Sequence, residues 1–176
     1  SMPKVSFVTV NYNNHEGLAR TLRELKKVKE LSRLHDIELI VVDGGSDAED
    51  ILVIDQFRDC LDRVISEKDN GIYDAMNKGI GCATGNFVNF MNSGDVPLVL
   101  EMVSFIENLD KLNTNTVHCG RGIWSQQVIA LFSHTVSAFW LKMPNHQAMF
   151  FPLNFHQQNY YNLDFKVAAD LDVKIK

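Results

Sequence analysis

Four side chains with chemistry to offer stand just beyond runs of apolar residues. They are Tyr12 after KVSFVTV, Asp43 after IELIVV, Asp69 shortly after Arg63 to Ser66, and Asp95 after FVNFM. Open α/β sheets bind ligands outside the carboxyl ends of their strands, so residues collected there face one common edge. At such an edge an aromatic ring can stack on a flat ligand, amides can read its polar rim, and a carboxylate can take a proton or hold a cation. Asp95 closes the turn Asn92, Ser93, Gly94, Asp95 and is expected to be a catalytic or metal-binding carboxylate. Small polar residues and Gly are also ordinary turn formers, so a solvated turn is the competing reading of that segment alone.

The elements that must position these side chains follow from periodicity. Lys4 to Val10 and Ile37 to Val42 are β-branched runs with few polar interruptions, the pattern of strands covered on both faces. Leu18, Leu22, Leu25 and Val28 recur at helical spacing behind Asn14, a good N-cap. A second helix is expected from Ala48 to Leu61, with Ile51, Ile54, Phe57 and Leu61 on one face. A third strand spans Arg63 to Ser66, a third helix Ile72 to Ala83, and a fourth strand Phe87 to Met91. Between the second strand and second helix, Gly44 and Gly45 permit unusual backbone angles. Ser46 or Asp47 is expected to cap the helix, leaving Asp43 for a ribose or base edge. Strand and helix alternate throughout this half, which implies a mostly parallel central sheet with helices on both faces. A dinucleotide-binding unit would need a Gly-rich turn after the first strand; Asn11, Tyr12, Asn13 and Asn14 stand there instead.

The 176 residues, 45% hydrophobic and 22% charged, suit one globular domain with a sizeable core. A net charge of -5 without long basic runs argues against nucleic acid as a partner. Cys60, Cys82 and Cys119 lack metal-ligand spacing, and their odd number argues against a disulfide framework, so a cytoplasmic location is expected. No apolar stretch approaches the ~20 residues that span a bilayer. Ala168 to Lys176 reads as a helix without a stop signal, so the chain is expected to continue.

The segments SFVTVNYNN, IVVDGGSDAED, SEKDNGIYDAMNKGIGCATGNFVNFMNSGD and PNHQAMFFP resemble, in this order and spacing, the family 2 glycosyltransferases. Within that family they are most similar to the bacterial branch that builds colanic acid and related exopolysaccharides. The resemblance implies a GT-A (nucleotide-diphospho-sugar transferase) fold, a nucleotide-sugar donor, a divalent metal (Mn2+ or Mg2+) and inversion at the sugar carbon. It divides the domain into a nucleotide-sugar half, residues 1–95, and an acceptor half, residues 96–176. Carried onto this chain, Asn11, Tyr12 and Asn13 border the base, with Tyr12 packing on it, and Asp43 contacts the base or ribose. Asp69, Asn70 and Gly71 line the nucleoside pocket, Asn92 belongs to the donor site, and Asp95 is the metal ligand. Where many relatives carry further acids, this chain has Asn92, Ser93 and Gly94.

In the acceptor half a helix is expected from Leu98 to Leu109, and strands at Thr116 to Cys119 and Ile123 to Leu131. His146 and Gln147 precede the apolar run Met149 to Phe151, and His146 is a diphosphate or acceptor contact or else a hydrogen-bonded near-core histidine. The resemblance makes Asp170 the general base. The acceptor it implies is a saccharide or lipid-linked saccharide, with peripheral contact at the inner face of the cytoplasmic membrane. Two rival readings remain: a nucleotide-sugar-binding subunit without turnover, and a nucleotidyltransferase, which would call for a basic Gly-rich triphosphate loop that residues 11–14 do not supply.

Overall fold

A computed structural model describes residues 4–32 and 36–108, the short strands 118–119, 122–124 and 127–129, and residues 149–153. Strands β1 (Val5–Asn11), β2 (Ile37–Asp43), β3 (Arg63–Ser66) and β4 (Phe87–Phe90) alternate with helices α1 (His15–Leu31), α2 (Ala48–Gln56) and α3 (Ile72–Cys82). Helix α4 (Val99–Glu107) follows, then strands β5 (His118–Cys119), β6 (Gly122–Trp124), β7 (Gln127–Ile129) and β8 (Met149–Pro152).

The main sheet runs β3-β2-β1-β4-β8-β5. Its first four strands are parallel, in a register that pairs Asn11 with Asp43 and Asp43 with Ser66. β8 joins β4 in antiparallel sense, and β5 joins β8 likewise. The chain steps outward from β1 to β2 and β3, then returns to lay β4 on the other side of β1. The strand order therefore reverses at β1, and a crevice opens at the carboxyl ends where the flanking connections diverge.

Both faces of the central strands are covered, which explains their unbroken apolar runs. On one face α3 packs Ala75, Met76 and Ile80 against Val8, Val10, Ile40, Val42 and Phe90. On the other, Leu25 and Val28 of α1 and Val103 and Ile106 of α4 meet Val5, Phe7, Leu39 and Phe87. Leu18 and Leu22 of α1 and Val53 and Ile54 of α2 close over Val41 on that same side. Each such side chain, fully buried, contributes about 1.5–3 kcal/mol of transfer free energy.

Several boundaries differ from the sequence expectation. β1 and β2 extend to Asn11 and Asp43, because these polar residues form the last rung of the ladder and bond to each other. α2 ends at Gln56, and Arg58–Cys60 forms a 3-10 turn. Asp62 is drawn onto the sheet: its N–H donates to Leu39 O of β2 at 2.9 Å, and its carboxylate accepts from Leu39 N–H at 2.8 Å and pairs with Lys29 at 2.7 Å. Where one strand is expected from Ile123 to Leu131, two short strands, β6 and β7, pair with each other in antiparallel sense.

Candidate active site

Asn11, at the carboxyl end of β1, is 4% exposed and joins three elements. Its amide nitrogen donates to Asp43 (2.9 Å) and Asp50 (2.8 Å), and its carbonyl oxygen accepts from the Ser93 hydroxyl at 2.7 Å. Asp50, 2% exposed at the start of α2, also accepts the Asn14 amide at 2.8 Å. Asn14 caps α1 as its sequence position predicts, accepting from Gly17 N–H at 3.1 Å. Ends of β1, β2 and β4 are thus tied together by side chains.

Asp43 is entirely buried. One oxygen accepts from Asn11, and the other from the amides of Gly45 (3.2 Å) and Ser46 (3.0 Å) and the Ser66 hydroxyl (2.9 Å). Burial alone would push this carboxyl up, but the Ser46 side chain and amide, Asn11 and Ser66 outweigh it and hold the group below the ordinary carboxylate value. Ser46 and Asp47 do not cap α2 with their side chains. Ser46 accepts from Asn13 N–H at 2.9 Å, Asp47 N–H donates to the Asn13 side chain at 3.0 Å, and Asp47 makes no side-chain cap bond. Asn13, at φ 44, is therefore a clasp between two loops.

The polar turn after β4 is held from below. Ser93 N–H continues the ladder to Val10 O at 3.0 Å, the buried Thr21 hydroxyl donates to Asp95 O at 2.7 Å, and Gly94 N–H donates to Thr21 at 3.0 Å. The Asp95 carboxylate accepts from Asn92 N–H at 2.9 Å.

Above this framework lies an open cleft of about 650 Å³. Asn11 and Tyr12 line it from β1, Gly44 and Gly45 from β2, Lys68, Asp69 and Gly71 from the loop before α3, and Asn92 and Ser93 from β4. Tyr12 is 67% exposed, a large ring held out at the rim. Of the residues expected at the site, Asn11, Tyr12, Asp69, Gly71 and Asn92 meet in this cleft. Asn13, Asp43, Asn70 and Asp95 are next to it in sequence but not among its lining. His146 and Asp170 lie outside the described residues. The sequence reading missed Lys68, Gly45 and Ser93 as lining residues and Asp50 as a support. Asp50 carried a signal, an acid in the first turn of α2; Lys68 had only its place beside Asp69.

A family model, glycosyl transferase family 2, matches residues 6–163. This chain belongs to that family. An uncharacterized glycosyltransferase of Mycobacterium tuberculosis is 37% identical over 95 residues, which cover 54% of this chain and 35% of that protein. A PGL/p-HBAD biosynthesis glycosyltransferase of Mycobacterium bovis is 41% identical over 63 residues, 34% of this chain and 25% of that one. The chain thus matches about a third or less of the length of these curated relatives. Among solved structures, residues 1–349 of TarS of S. aureus superimpose with a TM-score of 0.73 at 19% identity, over 97% of this chain and 54% of that fragment. TarS was also solved in complex with UDP, with a TM-score of 0.72. The mannosyltransferase PcManGT of Pyrobaculum calidifontis, in complex with GDP-Man and Mn2+, gives 0.68 at 14% identity, over 93% of this chain and 49% of that one. The fold of this family 2 member is GT-A.

The described residues hold no cluster of three or more His, Cys, Asp or Glu that could bind a metal ion. The Asn92 side-chain oxygen, however, is buried without a hydrogen-bond donor among the described residues, and it shares its turn with the Asp95 carboxylate. Oxygen donors of this kind fit a hard divalent cation that takes its remaining ligands from phosphate and water. No described helix is long and apolar enough to cross a membrane.

Proposed function

We propose that this chain is the donor-binding and catalytic part of an inverting, metal-dependent hexosyltransferase. It moves a sugar from a nucleotide-diphosphate sugar to a saccharide or lipid-linked acceptor during synthesis of a bacterial cell-surface polysaccharide. It works in the cytoplasm, peripherally at the inner face of the membrane. The observation that carries this reading is the cleft at the point of strand reversal, lined by the exposed Tyr12 and by Asn92 and Ser93 of the turn that Asp95 closes. The exopolysaccharide assignment rests on the DNGIYDAMNKG and NSGD segments; the mycobacterial relative named for PGL/p-HBAD biosynthesis is a second acceptor setting of the same family.

In this mechanism Tyr12 stacks on the base, Asp69 and Gly71 border the nucleoside, and Asn92 with Asp95 faces the diphosphate. Asn92 and Asp95 would hold a divalent cation, which would supply positive charge to offset that of the leaving diphosphate. Asp170 takes the proton from the acceptor hydroxyl as it attacks from the opposite face of the sugar. His146 borders the diphosphate or acceptor. Asn13 and Asp43 serve the donor site by fixing the loops that carry Tyr12 and Gly44.

The test is a thermal-shift panel of UDP, GDP, dTDP and CDP, each with and without manganese, on the native chain and on Asp95→Ala. A melting-temperature rise that needs one nucleotide, manganese and Asp95 together supports the assignment through mass-action stabilisation. No rise with any nucleotide sinks it. Asp170→Asn should abolish transfer while leaving the nucleotide shift intact. A binding subunit without turnover would give the shift in the native chain and no transfer at all.

A further inference from the structure

Lys68 and Asp69 form a charged pair of neighbours at the β2 side of the cleft. Their loop lies against the two glycines after β2. A Cβ on Gly45, which sits at φ +84, would meet the Lys68 backbone nitrogen at 3.3 Å. A Cβ on Gly44 would meet a carboxylate oxygen of Asp69 at 2.6 Å. The Asp69 carboxylate thus occupies the space that any side chain at position 44 would need.

The two oxygens of Asp69 differ. Oδ1 accepts from Gly71 N–H at 3.0 Å, whereas Oδ2, the atom over Gly44, accepts from no described residue. Lys68 is exposed, lines the cleft and makes no ion pair among the described residues. One open acceptor, on Asp69, and one unpaired cationic side chain, Lys68, therefore belong to neighbouring residues that line the same cleft as Tyr12.

We propose that Lys68 and Asp69 select the donor's base, and that they select a base presenting one N–H between two carbonyls, as in uracil or thymine. This rests on the nucleotide-sugar reading above. A carboxylate facing such an imide gains one hydrogen bond but also meets the lone pairs of the flanking carbonyls. The Lys68 ammonium offsets that repulsion by donating to one of them. Guanine offers two adjacent donors, N1–H and the N2 amine, which suit a carboxylate with both oxygens open; here the Gly71 amide already holds one. Cytosine places an unprotonated nitrogen where the imide N–H would be, opposing Oδ2, and adenine has no carbonyl for Lys68.

The test measures calorimetric affinities of UDP, dTDP, GDP, CDP and ADP for the full 176-residue chain and for three variants. The native chain should prefer UDP or dTDP over GDP, CDP and ADP by about tenfold or more, the size of one charge-assisted hydrogen bond. Asp69→Asn keeps an oxygen for Gly71 N–H but turns the open acceptor into a donor, so UDP should weaken while CDP holds or gains. A merely structural role for Asp69 would not move CDP and UDP in different directions. Gly44→Ala removes no polar group and displaces only the end of the Asp69 side chain; it should fold normally and lose most of the preference. Lys68→Ala should narrow the preference, and Lys68→Arg should keep it. If the Lys68 and Asp69 variants weaken all five nucleotides equally, the pair is only a source of charge and the inference is overturned. Binding by the native chain with no base preference, or with GDP, CDP or ADP preferred, overturns it while the proposed function stands. Failure of the native chain to bind any nucleotide overturns both.

Discussion

Two carboxylates are buried at opposite edges of β2. Asp43, at the carboxyl end, is 0% exposed, and Glu38, at the amino end, is 3% exposed. Glu38 accepts from the Ser6 hydroxyl and from the Thr84 amide (2.9 Å) and hydroxyl (3.0 Å), with Lys4 at 3.9 Å and Arg63 at 3.8 Å. The Ser6 hydroxyl in turn accepts Gly85 N–H at 2.9 Å, so this network clamps the turn that leads into β4. It closes on itself. The Asp43 network is just as saturated, but it lies beneath a second layer whose groups stay open: the Tyr12 ring, the Asp69 oxygen over Gly44, the Lys68 ammonium and the Asn92 amide oxygen. One edge uses polar residues to finish the fold, and the other uses them as a floor for groups that the fold leaves unengaged. Functional sites are where local satisfaction is expected to stop.

Asp43→Ala should give the largest effect. It removes the acceptor of four donors, from Asn11, Gly45, Ser46 and Ser66, and leaves the buried Asn11 amide short of a partner, so it should cost about 3 kcal/mol or more in urea unfolding. The nucleotide-induced melting shift should disappear with it. Because the folded-state carboxyl of Asp43 titrates below its ordinary value, it adds stability in full above the unfolded pKa, near 4. That contribution fades as pH falls through the lower folded value. The variant should therefore lose less stability than the native chain on acidification below about pH 4. An unchanged acid limb would remove Asp43 from this role.

Glu38→Ala comes next, at about 2–3 kcal/mol, since it frees the hydroxyls of Ser6 and Thr84 and the Thr84 amide. Nucleotide affinity measured well below the melting temperature should not change. If it falls as it does for Asp43→Ala, the two edges are not separate in function.

Gly79→Ala probes the element that spans both. A Cβ there would stand 2.3 Å from Val8 Cγ1, so α3 must lift from β1, at about 1–3 kcal/mol. The same helix begins at the cleft, with Gly71 at its N-cap. Affinity should fall along with stability, unlike the outcome for Glu38→Ala.

Most of the framework could be read from the chain because its signals are local. Unbroken runs such as IELIVV mark strands covered twice, and the spacing of Leu18, Leu22, Leu25 and Val28 marks one buried helix stripe. The polar rung Asn11–Asp43 looked like loop because its partners are 32 residues apart, and pairing across that distance leaves no periodic trace. For the same reason Ser46 looks like a helix cap in the sequence, whereas its hydroxyl accepts from Asn13 N–H. A carboxylate at a strand end and a Ser before a helix look the same in sequence whether they face a ligand or each other. Lys68 was missed because nothing in the one-dimensional pattern says that its loop rests on Gly44 and Gly45. The sense of β8, antiparallel beside β4, was equally illegible, since strand direction is set by the connection and not by the run Met149–Pro152.

Tyr12→Ala should have the smallest effect on the fold and isolates the open layer from its floor. With 67% of the residue exposed, its removal deletes little packing, and stability should change by no more than about 0.5 kcal/mol. Stacking a base on an aromatic ring contributes about 1–3 kcal/mol, so nucleotide affinity should drop about tenfold or more, and Tyr12→Phe should restore most of it. A ring that served only as a lid over Asn11 would give the reverse pattern, with stability lost and affinity kept. Because stacking tolerates any base, the loss should be similar for UDP and CDP, whereas the Asp69→Asn change should separate them. Measured side by side, the two variants distinguish how tightly the cleft holds a nucleotide from which nucleotide it holds.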